Sequence, residues 1–361
     1  MSENDTKYSA LFGTLRADIL GGKYALGKPF PSERALISRF KLSRNTVQHV
    51  LHDLVADGLL TSRRGAGYFV TKSAVSRKIG LLVPREGISE FFQPVIGEIS
   101  RLAQQAGYSL QFGEMPAKGP EGRARATVRL AKNMVKQGVA GVIFQPNDGV
   151  GDAESINGTV ATIFRNAGVA LVLCDYDMVT PPARSEFDVV GSNNFEAGMR
   201  LAMHLIESGA KRILFVLPPN PAASHIDRCR GAVALTTSRN GNCRCETFES
   251  SPDDVTAFRR KFRQNRPDAI ICCNDKCAAE LLRTLDKLKI RVPGDMMLAG
   301  FDDISIASLT IPSLTTIHQP CAKIAKAAFD RLLARMKNPG LDPMKITLDA
   351  PLVIRESTMR A

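Results

Sequence analysis

Between residues 30 and 70, side chains able to touch a polyanion recur at spacings that keep them off a buried face. Val47, Val50, Leu51 and Leu54 follow the i, i+3, i+4, i+7 rule of one helix side, leaving Arg44, Asn45, Gln48, His49 and His52 outside it. Guanidinium and carboxamide groups near the N-terminal end of such a helix can hydrogen-bond base edges in the major groove of DNA. Farther on, Arg63, Arg64, Gly65, Ala66 and Gly67 separate two stretches of strand-like composition, 59–62 and 68–71. Glycine lets backbone approach closely while guanidinium groups meet phosphates or enter a minor groove.

A second constellation lies where apolar runs end. Asn274 and Asp275 follow 269–273, and Asp302 and Asp303 follow 297–301. With Arg228 as a fork of donors, these groups suit a polyhydroxylated ligand, although Asn and Asp there equally suit the caps of following helices. The chain has no Trp, so stacking on a sugar face would fall to Phe or Tyr; Phe91 and Phe92 fit that role or the core. Catalytic chemistry has little footing. The five histidines, at 49, 52, 204, 225 and 318, lie in no HExxH, GxSxG or zinc-ligand spacing, and no Walker A sequence occurs. Gly65-Ala66-Gly67 leads into a strand signal, which fails the dinucleotide-binding context. Eight cysteines form no pair of CxxC motifs, so no metal and no cofactor are expected, and the thiols read as reduced.

The positioning elements follow from caps and periodicity. Pro31 and Ser32 open a helix that runs to about Phe40 with Ser32 as N-cap, Lys41 and Leu42 make a turn, and Ser43 caps the next helix, which ends near Asp57 and Gly58. Residues 1–71 thus predict a winged helix-turn-helix unit and 72–78 a linker. From 79 to 361 strands and helices alternate, with strands at 79–83, 109–112, 141–144, 170–174, 189–191, 212–216, 269–272 and 297–301. Helices fall at about 89–106, 195–208, 257–264 and 276–288. That alternation predicts a doubly wound α/β body binding its ligand beyond the carboxyl ends of the strands.

Composition agrees. The formal charge of +12 is uneven: residues 1–78 hold 13 Lys plus Arg against 6 Asp plus Glu, a net of +7, and the other 283 hold 35 against 30. Concentrated positive charge suits a polyanion partner. The first residues lack a basic and an apolar region of signal type, and no run of about 18 apolar residues occurs, so a cytoplasmic protein without membrane contact is expected.

These residues carry two resemblances. Pro31-Ser32-Glu33-Arg34, Ser43-Arg44-Asn45-Thr46-Val47, residues 54–60 and Gly65-Ala66-Gly67-Tyr68-Phe69-Val70 resemble the winged helix-turn-helix head of GntR-family regulators. That likeness implies contacts with double-stranded operator DNA from Arg34, Arg44, Thr46 and Gln48, and from Arg64 and Gly65 in the wing. Asn45 and Gln48 stand where that family varies. Asn274-Asp275-Lys276-Cys277-Ala278, Gly300-Phe301-Asp302-Asp303-Ile304, residues 312–317, 191–198 and 352–358 are similar to the effector domain of LacI/GalR regulators. This second likeness implies a two-lobed, periplasmic-binding-protein-like body with a sugar or similar molecule in its cleft and dimerisation through the body. It implies effector contacts from Asp275 and Arg228, and sets Phe91, Phe92 and Tyr176 near the cleft. Asn193 departs from the Asp usual there. The combined layout resembles the arabinose-responsive repressors of Gram-positive bacteria, and implies a repressor of carbohydrate-use genes.

Overall fold

The computed structural model describes residues 3–20, 23–26, 28–71, 78–83, 91–113, 120–148, 153–238 and 243–359; the expected linker lies outside them except for Lys78. The N-terminal unit contains α1 (Glu3–Leu20), α2 (Glu33–Phe40), α3 (Arg44–Ala56), β1 (Leu60–Arg63) and β2 (Gly67–Val70). Ser32 Oγ accepts from Ala35 N at 3.3 Å and Ser43 Oγ from Thr46 N at 3.2 Å, so both caps stand where expected. Val47, Val50, Leu51 and Leu54 are fully buried against Leu36 and against Leu11, Leu15 and Ile19 of α1. Helix α1 adds to the elements expected from 30–71. Its stripe at i, i+4 and i+8 closes a core that two short helices could not close alone. In the wing, Arg63 pairs with Gly67, so the turn is the three residues 64–66 rather than five. The Arg63 guanidinium lies 4.5 Å from the centre of the Phe69 ring, and Gly67 joins the ladder at φ 88°, which together lengthen the hairpin.

The first lobe of the body contains β3 (Lys78–Leu82), α4 (Phe92–Gln105), β4 (Ser109–Phe112), α5 (Pro120–Lys136), β5 (Gly141–Phe144), α6 (Ala153–Asn166), β6 (Ala170–Cys174) and β7 (Asp188–Ser192). Strands β5 and β7 are buried throughout, the mark of parallel strands covered on both faces. The chain then crosses into the second lobe. That lobe comprises α7 (Asn194–Glu207), β8 (Arg212–Leu217), α8 (Ala223–Ser238), β9 (Arg244–Glu249), α9 (Val255–Asn265), β10 (Ala269–Cys272), α10 (Asp275–Lys287) and β11 (Met297–Ala299), in a parallel sheet of order β11-β10-β8-β9.

After α11 (Ser305–Leu309) and β12 (Thr316–Ile317) the chain returns through Gln319 to α12 (Cys321–Lys337). It then adds β13 (Lys345–Leu348) beside β7, which completes a parallel sheet of order β13-β7-β6-β5-β3-β4. A last crossing brings β14 (Leu352–Val353) antiparallel to β12, followed by a 3₁₀ turn, Glu356–Thr358. Helices α4 and α12 pack on one face of the larger sheet through Val95, Ile99, Phe329 and Leu332, while Met134, Val160 and Phe164 of α5 and α6 cover the other.

Two glycines set the spacing of α7 and α8. A Cβ on Gly198 would stand 1.9 Å from the Arg228 carbonyl oxygen, and one on Gly231 1.9 Å from that of Phe195. The helices meet backbone to backbone, which fixes where Arg228 emerges.

Candidate DNA interface and interlobe cleft

On the head, Arg34, Arg44, Asn45, Arg64 and Gly65 are exposed, and Thr46 and Gln48 are half-buried, so the structure gathers these expected residues on α2, α3 and the wing. Glu33 organises part of the group. Gln48 Nε2 donates to Glu33 Oε2 at 3.0 Å, and Arg44 Nε lies 3.9 Å from the same oxygen. Thr46 shares a 2.8 Å hydrogen bond with Ser43, the cap of its own helix. Helix α1 braces α3 from behind, where the Tyr8 hydroxyl donates to Asp53. Burial, then that bond, pushes the Tyr8 phenol up to about 12, and the same bond holds the Asp53 carboxyl low.

Between the lobes, buried polar groups link elements far apart in sequence. The Arg228 guanidinium, from α8, donates to Asn194 Oδ1 at 2.9 Å and to the Cys273 carbonyl at 2.7 Å, lies 3.3 Å from Asp302 Oδ1, and stacks 3.6 Å from the centre of the Phe301 ring. Gln319 Nε2 donates to the same Asp302 oxygen at 3.1 Å while its own carbonyl accepts from Ser192 Oγ. Asp175, following β6, stands within reach of Gln145 at 3.4 Å. Burial raises the Asp175 carboxyl to about 6 and also raises Asp302, with Arg228 opposing both shifts. Both residues hold the backbone at positive φ, 81° for Asp175 and 109° for Asp302, strain of a kind that concentrates at working sites. A cavity of about 410 Å³ opens beside this network, lined by Asn147, Asp148, Asp175, Tyr176, Asn194 and Asp227 among others. Tyr176 faces it while its hydroxyl donates to the Pro146 carbonyl at 2.8 Å.

Other expected ligand contacts are placed differently. Phe91 and Phe92 are 6% and 4% exposed and stack edge to face within the first-lobe core, because α4 turns its apolar face onto the sheet. Asn274 caps α10, accepting from Cys277 N at 2.8 Å. Asp275 is fully buried, with one oxygen accepting from Thr316 Oγ1 at 2.6 Å and the other from Ile304 N at 3.0 Å. Its carboxyl group is therefore spent inside the second lobe, in a space kept open by Gly300, whose Cβ would stand 2.1 Å from Asp275 Oδ1. Asp303 is drawn the other way, to Arg355 at 2.6 Å and His318 at 2.8 Å; burial works against its charge, but its hydrogen bonds with Arg355 and His318 hold its carboxyl low. Asp175, Ser192, Asn194 and Gln319 join the site beyond what the sequence suggested. Asp175 follows β6, Ser192 ends β7 and Gln319 lies just past β12, so strand-end position was the available signal. Among the described residues no group of three or more His, Cys, Asp and Glu could hold a metal ion, and no helix is long and apolar enough to cross a membrane.

Residues 7–70 match the bacterial regulatory proteins of the gntR family, and residues 202–358 match the periplasmic binding protein-like domain. The arabinose metabolism transcriptional repressor of Geobacillus stearothermophilus is 26% identical, over 98% of this chain and 97% of the relative. The HTH-type transcriptional repressor PurR of Vibrio vulnificus is 26% identical, over 80% of this chain and 83% of its own. A periplasmic binding protein/LacI transcriptional regulator from Alkaliphilus metalliredigens, solved complexed with D-xylulofuranose, superposes with a TM-score of 0.64 at 22% identity, covering 79% of this chain and all of that one. Head, cleft and relatives define a DNA-binding transcription regulator under the control of a small ligand. Within that class, the chain joins a GntR-type head to a LacI-type, periplasmic-binding-protein-like body.

Proposed function

We propose that the chain acts in the cytoplasm as a homodimeric repressor of carbohydrate-use genes, with no catalytic step, and that a neutral sugar or similar polyol in the interlobe cleft sets its affinity for operator DNA. The observation that carries this reading is the buried network Ser192–Gln319–Asp302–Arg228–Asn194, which ties the two lobes through groups suited to hydroxyls. The cavity lining carries Asp148, Glu154, Asp175, Asp177 and Asp227 against Arg184, Arg230 and Lys345, an acidic balance that favours hydroxyl donors over a phosphorylated or carboxylated ligand. A cavity of about 410 Å³ is within the ordinary range for a small-molecule site. The relative solved with D-xylulofuranose supports the same ligand class. In this mechanism the ligand takes over hydrogen bonds now made between the lobes, changes the balance of open and closed forms, and so repositions two heads on one duplex.

Thermal-shift screening of the whole protein against neutral pentoses, hexoses, sugar alcohols and nucleosides, each beside its phosphate ester, tests the reading. A ligand at 100 times its Kd stabilises by about 2.7 kcal/mol, and Arg228→Lys should abolish that gain by removing the planar fork. Stabilisation by the esters alone would overturn the neutral-ligand assignment.

A further inference from the structure

Helix α12 touches the cleft at one end and the DNA-binding head at the other. Just before its N-terminus, Gln319 is 1% exposed and bonded to Ser192 and Asp302. At its C-terminus, Lys337 Nζ lies 3.3 Å from Asp57 Oδ1, and the Met336 and Lys337 carbonyl oxygens close over Gly58. A Cβ at Gly58 would stand 2.4 Å from the Lys337 oxygen, and Gly58 holds φ at 69°, so only glycine fits that seat without displacement. Asp57 and Gly58 end α3, the helix that carries Arg44, Asn45 and Gln48. Gly58 also accepts from Thr71 Oγ1 at 2.5 Å, which brings the exit of the head to the same point.

The helix is fixed lengthwise to one strand of the first lobe. Arg331 and Arg335 each reach the buried Asp188, at 2.8 Å, at the start of β7, and Gln319 holds Ser192 at its end. Seventeen residues of helix span about 25 Å. Helix and strand thus form a braced frame with the cleft at one corner and the head at another.

We infer that α12 is a strut through which each protomer passes the state of its cleft to its own head, by the seat of Asp57 and Gly58 on the last turn of the helix. A ligand competing for Asp302 releases Gln319, the N-terminal end of the strut shifts, and the seat at the far end loosens. This goes beyond the ligand assignment, and its test uses no ligand, so the two stand or fall separately.

The test is amide hydrogen exchange on the full chain, following peptides that span 53–60, with 9–19 in α1 as the internal reference. Lys337→Glu should raise exchange at 53–60 about tenfold while leaving 9–19 unchanged, and adding Asp57→Lys should restore it. Gln319→Ala should raise exchange at 53–60 as well, and should add nothing further in the Lys337→Glu background. Wild-type exchange at 53–60 in Lys337→Glu, and in a second variant, Gly58→Ala, would show that the seat is not occupied in solution. A Gln319→Ala effect confined to the cleft, or a fully additive one, would show that the strut carries no signal.

Discussion

The carboxyl of Asp275 is removed from water, and burial pushes it up to about 8 against the opposing bond from Thr316. The unfolded chain releases that proton near about pH 4, so between the two values the folded form binds more protons. Stability from this group is therefore present below about pH 4 and lost as pH rises through about 8; Asp175, raised to about 6, loses its share sooner. The melting temperature should fall between about pH 6 and 8, and Asp275→Asn, of the same shape without the charge, should flatten that fall. An equal slope in the variant would remove Asp275 from the account. Surface arginines have a different signature. Arg44→Ala should cost operator affinity about 1–3 kcal/mol if its guanidinium reads a base edge, while Arg64→Ala should mainly reduce the salt dependence of binding. Filter-binding titrations at several salt concentrations separate the two, and wild-type curves from both folded variants would refute the interface.

Among the elements, α7 and α8 show how a small residue can govern a distant guanidinium. Gly198→Ala drives a methyl group into the Arg228 carbonyl, so the helices must part and Arg228 must leave Asn194 and Asp302. We expect a loss of about 1–3 kcal/mol in unfolding free energy, the usual range for overpacking. The variant should give no thermal shift with any ligand that stabilises the parent, yet still bind operator; an intact ligand shift would show that helix spacing does not set the site. Strand ends were the legible part of this region. Continuous apolar runs such as 141–144 and 170–174 declare parallel strands of the sheet, and Asn147 and Asp175, which follow them, line the cavity. Strand β9 was hidden because it is an edge strand of sequence RCETFE, whose charges mask any apolar run. Asp275 misled for a related reason. Sequence position brings a carboxylate to the strand end, but whether it faces ligand or interior depends on Thr316, 41 residues later. Glu33 is an acidic residue in the first turn of α2, and its hold on Gln48 arises only once α2 and α3 are packed together.

For the molecule as a whole, a body dimer carrying two heads should protect a palindromic or near-palindromic site with half-sites on one face of the duplex. Footprinting beside analytical ultracentrifugation checks this, and a monomer that protects a single half-site would contradict it. The head keeps a core of its own, Leu11, Leu15, Ile19, Leu36, Val47, Val50, Leu51 and Leu54, which shares no residue with the cores of either lobe. Such a unit can be exchanged, and chimeras that pair this sensor with a foreign reader are a natural use of the layout. The seat at Gly58 sets the condition for success. A transplanted head with a bulkier residue at that turn would bring its own folding information and recognise its own operator, yet remain deaf to the sensor beneath it. Compatibility between reader and sensor would then rest on one missing methyl group.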